Sequence, residues 1–228
     1  MNGLLLVDKP KGISSFGVVS RIRGTIKAHT GQKLKVGHSG TLDPAATGLL
    51  VIAIGKYTKR IPELIKQDKT YEVTMTLGQA SSTGDSEGEI TKISDKVPSL
   101  DNLKNTIMSF EGDIMQTPPK YSAIKINGQR AYKLAREGRE VKMESRPARI
   151  NSIKLTGYNY PGVDFVADVG SGTYIRSLVE DIGDDLSIGA YMSDLRRTKI
   201  GSFDLIKAIN LDNLNYSKIE KALFTLES

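Results

Sequence analysis

Apolar and polar positions divide the chain into short strands and amphipathic helices. Residues 3–7 carry a compact apolar run, LLLV, closed by the turn formers of 8–12, DKPKG. Val18, Val19, Ile22 and Ile26 then recur at helical spacing behind Ser14 or Ser15 as cap, with Arg21, Arg23 and Lys27 on the outer side. Residues 28–36 are polar and predict a loop. Residues 49–54 are apolar throughout, which predicts a strand covered on both faces. A helix is expected near 58–66. Residues 71–77 alternate instead: Tyr71, Val73, Met75 and Leu77 face one way, Glu72, Thr74 and Thr76 the other, as in a half-exposed strand.

The small, polar stretch 79–89 predicts a mobile loop. Ser99 caps a helix bearing Leu100, Leu103, Ile107 and Phe110, broken by residues 112–119. A strand over 121–126, a basic helix over 130–136 and an extended basic stretch over 139–149 follow. Residues 150–155 and 163–169 pair as a hairpin. After the turn Gly170-Ser171-Gly172-Thr173, a helix carries Ile175, Leu178, Val179, Ile182 and Leu186. A last strand over 200–205 and a helix with Ile219, Leu223 and Leu226 complete the chain. Strands and helices do not alternate strictly, so the expected class is α+β, a mixed, mainly antiparallel sheet flanked by helices.

Composition narrows the chemistry. The 228 residues include no cysteine, which excludes disulfides, thiolate catalysis and cysteine-bound zinc. Two histidines, His29 and His38, make a histidine metal site a poor fit, while carboxylate-bound magnesium stays open. The apolar run at the start is too short for a signal peptide or a membrane span, and a cytoplasmic protein is expected.

The net charge of +6 is unevenly placed. Residues 120–149 hold nine Lys or Arg and three acids, 9 − 3 = +6, and the remainder balances at 23 basic and 23 acidic. A local basic patch points to a polyanion partner; a solvated charged helix explains the same charges.

The densest chemistry lies in residues 37–50, GHSGTLDPAATGLL. His38, Ser39, Thr41 and Asp43 cluster among three glycines, on a loop that leads into the buried strand. Asp43 is the candidate reactive carboxylate, a nucleophile or general base; as a bare Asp-Pro it would only start a turn. His38 fits either a substrate contact or a structural role. A second constellation, Gly172-Thr173-Tyr174-Ile175-Arg176, opens a helix, where an aromatic face and a guanidinium could meet a base and a phosphate or carboxylate. It is no dinucleotide fingerprint, since the third glycine is missing. Tyr71 by position alone reads as core.

These residues resemble a known family. LLLVDKPKGISS followed by GHSGTLDPAATGLL closely resembles the signature of the TruB-type tRNA pseudouridine-55 synthases, in a bacterial-like form. KTYEVTMTLGQASSTGDSEGEI, PPKYSAIKINGQRAYKLAREGREV and GSGTYIRSLVEDIGDDLSIGAYMSDLRRTKIGSF match the later blocks in order, so the likeness spans about residues 2–205. It implies a single catalytic domain that isomerises uridine 55 in the T-loop of tRNA without cofactor or metal, replacing the N1 glycosidic bond by one to C5.

The resemblance makes Asp43 the catalytic aspartate and Arg176 the arginine that pairs it. Tyr71 would stack beside the flipped base, Tyr174 would be the second active-site tyrosine, and Leu195 would line the uracil pocket. His38 would meet the splayed T-loop bases, and Lys9 with Pro10 would support the catalytic loop. Residues 120–149 would form a thumb-like insertion closing on the T-arm, in a monomer that meets no membrane. This sequence departs from the family in Ser81-Ser82-Thr83, where TDT is usual, and in Tyr191, often histidine. The twenty-five residues after Phe203 leave no room for the PUA-type domain many members carry. A non-catalytic RNA-binding module and a metal-dependent hydrolase are the competing readings. Retention of Asp43, Tyr71, Tyr174 and Arg176 argues against the first, and the shortage of ligands against the second.

Overall fold

The computed structural model describes residues 1–122, 124–126, 128–139 and 141–226, and only the backbone of Lys125 and Tyr132. The chain gathers into two compact units, Met1–Tyr71 with Leu195–Ser228, and Glu72–Asp194. Strands β1 (Gly3–Lys9), β2 (Val36–His38), β3 (Thr47–Ile54) and β4 (Lys69–Leu77) come with helices α1 (Ser15–Thr30) and α2 (Ile61–Ile65). Next come β5 (Gln79–Ser81), β6 (Ile90–Lys92), α3 (Leu100–Ser109), β7 (Gly112–Gln116), β8 (Lys125–Ile126), β9 (Gln129–Arg130) and α4 (Ala131–Arg136). The last elements are β10 (Arg146–Asn159), β11 (Gly162–Val169), α5 (Ile175–Asp185), β12 (Ala190–Ile200), β13 (Phe203–Asp204), β14 (Ile209–Asn210) and α6 (Tyr216–Ala222). Strands β4 and β12 carry the chain from one unit to the other. The expected α+β class holds.

In the first unit the strand order is β14-β1-β3-β12. β3 runs antiparallel to β1, with Leu5 opposite Ile52, and antiparallel to β2; Arg196 and Arg197 of β12 pair in parallel with Thr47 and Gly48. Successive residues of a strand point to opposite faces. Leu50, Ile52 and Ile54 therefore join Val18, Val19, Ile22 and Ile26 of α1 in one core, and Leu49, Val51 and Ala53 join Leu4, Leu6 and Leu64 in another. The uninterrupted apolar run is explained by burial on both faces. α1 starts at Ser14, whose side chain accepts from the Gly17 N–H, and ends at the left-handed Gly31, whose N–H returns to the Lys27 carbonyl.

In the second unit the order is β4-β11-β10-β7, with β10 antiparallel to both β11 and β7. α5 buries Ile175, Leu178, Val179 and Ile182 of the stripe expected from its spacing, while Leu186, expected as its fifth member, is the C-cap and only partly buried. Within 124–143, the β8–β9 hairpin and α4 enclose a small apolar cluster of Ala131, Leu134 and Val141, flanked by Ile126 and Met143.

Several expectations are corrected. Residues 79–89 belong to a hairpin: β5 pairs with β6, and the Ser82 N–H reaches the Glu89 carbonyl at 3.0 Å. Small polar side chains there bond to one another, Ser81 to Thr83 and Thr83 to Asp85. The strand expected over 121–126 contracts to Lys125–Ile126, and the break expected at 112–119 contains β7. Leu100 lies on α3 but is 54% exposed, leaving Leu103 and Ile107 as its buried contacts. The strand expected over 200–205 is broken up: Ile200 ends β12, which starts ten residues earlier, Gly201 and Ser202 turn, and Phe203–Asp204 form β13. The run Asp194-Leu195-Arg196-Arg197-Thr198-Lys199 reads as polar; buried Arg197 occupies an inward position that a hydrophobic pattern would reserve for an apolar residue.

Candidate active site

Asp43 is half-buried on a turn that every flank ties to the first unit's core. The Ala46 N–H closes the turn on the Asp43 carbonyl at 3.1 Å. The next carbonyl, of Pro44, accepts from the Gly12 N–H at 2.8 Å and from Lys9 Nζ at 3.3 Å. Upstream, Ser15 Oγ donates to the Leu42 carbonyl at 2.9 Å while the Leu42 N–H donates to Ser15 Oγ at 2.8 Å. The Ser39 N–H bonds the Val51 carbonyl at 3.0 Å. Arg197, 1% exposed, spans from β3 to the loop, donating from Nε to the Leu49 carbonyl at 2.8 Å and from Nη2 to the Gly40 carbonyl at 3.2 Å. Gly48 is required where it stands: its φ is +100°, and a Cβ there would lie 2.3 Å from the Arg197 carbonyl oxygen.

Two buried cations, Lys9 and Arg197, hold this loop, and a third, Lys69, lies beside Gly40. Lys9 Nζ also donates to the carbonyls of Ile13, at 2.8 Å, and Pro10, at 3.0 Å. Burial lowers its pKa to about 8; Asp43 acts in the opposite direction and Arg197 in the same one. Lys69 donates to the Ile65 carbonyl at 2.8 Å and to that of Gln67, and burial with Arg197 brings it to about 8 as well, against Asp68. His38 ends β2. Burial lowers its pKa, the Gly40 backbone opposes the shift, and the Arg197 cation adds to it. The imidazole is therefore neutral near pH 7, which suits a contact better than a charge. His38 Nδ1 and Ser39 Oγ are buried with no hydrogen-bond partner among the described residues, a rare condition for polar atoms.

Arg176 lies in the second unit on the first turn of α5, 7% exposed. It donates to the Thr83 carbonyl at 3.1 Å and the Tyr121 carbonyl at 2.8 Å, and faces Asp85 Oδ2 at 3.5 Å. Asp85 in turn accepts from Thr83 Oγ1 at 2.6 Å and from the Glu87 N–H at 3.1 Å. The retained acid of the 81–85 stretch thus holds the guanidinium. Tyr174 caps the helix without a side-chain cap bond; instead Gln116, 1% exposed, accepts from its N–H at 2.8 Å and donates to its carbonyl at 3.1 Å. Beside Arg176, a cavity of about 470 Å³ is lined by Thr83, Tyr121, Glu180 and Asp181. Burial, with Asp184 and Asp185 nearby, pushes Asp181 up to about 6.

Of the residues singled out from sequence, Lys9, His38 and Asp43 meet around one turn, and Leu195 adjoins it through Thr47, whose hydroxyl donates to the Leu195 carbonyl at 3.4 Å. Tyr71 is 8% exposed on the inward side of β4, as its alternation predicts. Tyr174 and Arg176 belong to the other unit. Sequence reasoning passed over Lys69, Gln116 and Arg197 as site residues and gave Ser15 only as an alternative helix cap. Their partners are backbone carbonyls and amides, which leave no motif; the signal available was the LRRT run in an otherwise apolar register. Among the described residues no group of three His, Asp or Glu could hold a metal ion, and no helix is long and apolar enough to cross a membrane.

The mixed, mainly antiparallel sheet flanked by helices is the fold of solved pseudouridine synthase structures. A Cbf5–Nop10–Gar1 complex matches with a TM-score of 0.71 at 32% identity, over 93% of this chain and 53% of that one. An H/ACA RNP bound to a substrate RNA containing 2′-deoxyuridine matches with a TM-score of 0.68 at 30% identity, over 93% and 52%. The chain spans about half the length of those two chains. Residues 27–175 match the TruB family pseudouridylate synthase N-terminal domain, and residues 176–225 the tRNA pseudouridylate synthase B C-terminal domain. The tRNA pseudouridine synthase B of Clostridium acetobutylicum is 42% identical over 100% of this chain and 77% of its own length. That of Aquifex aeolicus is 42% identical over 93% and 73%. The chain belongs to the TruB family of pseudouridylate synthases, enzymes that act on tRNA.

Proposed function

We propose that this protein converts uridine 55 in the T-loop of tRNA to pseudouridine, with Asp43 as its reactive carboxylate. The observation that carries the proposal is the bracing of the backbone around Asp43 by Lys9, Ser15 and Arg197, on the stretch whose resemblance to the family signature assigns Asp43 as the catalytic aspartate. A loop held by buried partners needs little reordering when substrate arrives. In the reaction the N1–C1′ bond breaks, the uracil turns, and a C5–C1′ bond forms; the proton leaving C5 is balanced by one gained at N1.

A base within a folded loop must leave its stack first, and aromatic and apolar side chains offset that cost. Tyr71 and Tyr174 are assigned to that task, with Leu195 lining the uracil pocket. His38, neutral near pH 7, is assigned to the displaced T-loop bases, and Lys9 to support of the loop. Arg176 is assigned to the catalytic carboxylate. Residues 120–149 are assigned to the T-arm backbone, as a thumb-like insertion. The test is to incubate unmodified tRNA transcript with the wild type and with Asp43→Asn and to map pseudouridine. Product at position 55 from the wild type alone supports the proposal. Binding without product from the wild type would favour a non-catalytic RNA-binding module.

A further inference from the structure

The first unit carries a second concave surface. An open groove of about 820 Å³ is lined by Arg23 and Lys27 of α1, by Lys33 and Lys35 of the segment that follows, and by Gly24 and Gly37. All four cations are exposed, and among the described residues none has a carboxylate partner. The surrounding sequence is as one-sided. Residues 9–62 contain ten Lys or Arg (9, 11, 21, 23, 27, 33, 35, 56, 59, 60) and one acid, Asp43, so 10 − 1 = +9. The balance of charge outside 120–149 hides this stretch, because the compensating acids lie elsewhere in the chain.

A solvated lysine face is the ordinary explanation of such charges. Three features set this one apart. The cations rim a concavity, so their fields add where a ligand would lie. Gly24 stands inside α1 at the groove, where a helix gains by any other ordinary residue, and a Cβ built there meets nothing within 4 Å. Phe16 is 64% exposed, and the Arg23 guanidinium lies 5.9 Å from its ring centroid, giving a cation and an aromatic face together. The groove is also joined to the candidate site: α1 holds the Asp43 turn through Ser15, and Gly37 directly precedes His38.

We infer that this groove is a second RNA-binding surface, which takes the phosphodiester backbone of the tRNA outside the uridine pocket. The inference rests on the reading of this protein as a tRNA-modifying enzyme.

The experiment uses Gly24→Glu, Gly24→Lys and the triple variant Lys27→Gln/Lys33→Gln/Lys35→Gln, each assayed on full-length unmodified tRNA transcript. Binding is measured across a salt series and pseudouridine formation at steady state. The Gly24→Glu and triple variants should raise Kd and KM by about tenfold at low salt, with kcat unchanged. In the triple variant the slope of log K against log salt should become shallower by about 2, at ~0.7–0.9 for each phosphate no longer neutralised. Gly24→Lys, similar in bulk and opposite in charge, should bind as tightly as the wild type or more so. Unchanged KM and salt slope in the triple variant of an active parent would overturn the inference, as would equal weakening by Glu and Lys. If the wild type makes no pseudouridine but the charge-dependent loss of binding persists, the catalytic reading fails and the groove stands as an RNA-binding surface.

Discussion

Ser15 shows how much of the Asp43 turn hangs on single side chains. Its hydroxyl both donates to and accepts from the Leu42 backbone, and it is 2% exposed. Ser15→Ala leaves a buried N–H and C=O unpaired, so a loss of about 1–3 kcal/mol is expected in urea unfolding, with a lower kcat as the turn loosens. Lys69 gives a pH signature. Its folded pKa of about 8 lies below the unfolded 10.5, so the folded state holds fewer protons between those values. Stability should therefore rise with pH from about 8 to 10.5, and Lys69→Met should reduce that rise in denaturation curves taken across the window, Lys9 supplying the remainder. Asp181 runs the other way: raised from 3.8 to about 6, it favours the folded state less as pH climbs through that range. Asp181→Asn should raise Tm at pH 7 and change it less at pH 4. At this scale Asp43 and His38 were legible because polar residues cluster in a glycine-rich loop. Arg197 and Ser15 were not, because a side chain that bonds backbone atoms can be served by many sequences.

Elements were more legible than sites. The apolar run of β3 and the alternation of β4 follow from burial on two faces and on one, and α1 follows from its stripe and its Ser14 cap. β12 was missed over its first ten residues because its inward positions include Arg197 and its period slips between Met192 and Leu195. The 79–89 hairpin was missed because its order comes from side-chain bonds around Asp85 and not from apolar spacing. Two glycines test these elements in opposite directions. Gly24→Ala on α1 should stabilise by about 0.5–1 kcal/mol, since open space meets the new Cβ. Gly48→Ala on β3 should cost more than about 3 kcal/mol or abolish folding, from positive φ together with a backbone clash against Arg197; Tm and soluble yield report it.

For the whole molecule, the α+β class followed from the irregular order of strands and helices, and the RNA partner from the family resemblance, since charge alone left a polyanion partner and a solvated helix both open. The charge excess at 120–149 was visible in the sequence; the groove of Arg23, Lys27, Lys33 and Lys35 was not, because a helix and the segment after it had to fold together to make it concave. The central claim is that Asp43 makes this chain a uridine-55 isomerase, and one measurement addresses it directly. Unmodified tRNA transcript is incubated with the wild type and with Asp43→Asn under single-turnover conditions, and pseudouridine is mapped by position. The predicted result is pseudouridine at position 55 with the wild type, none with Asp43→Asn, and tRNA binding retained in both. Product from Asp43→Asn at the wild-type rate, or modification at another position only, would contradict it.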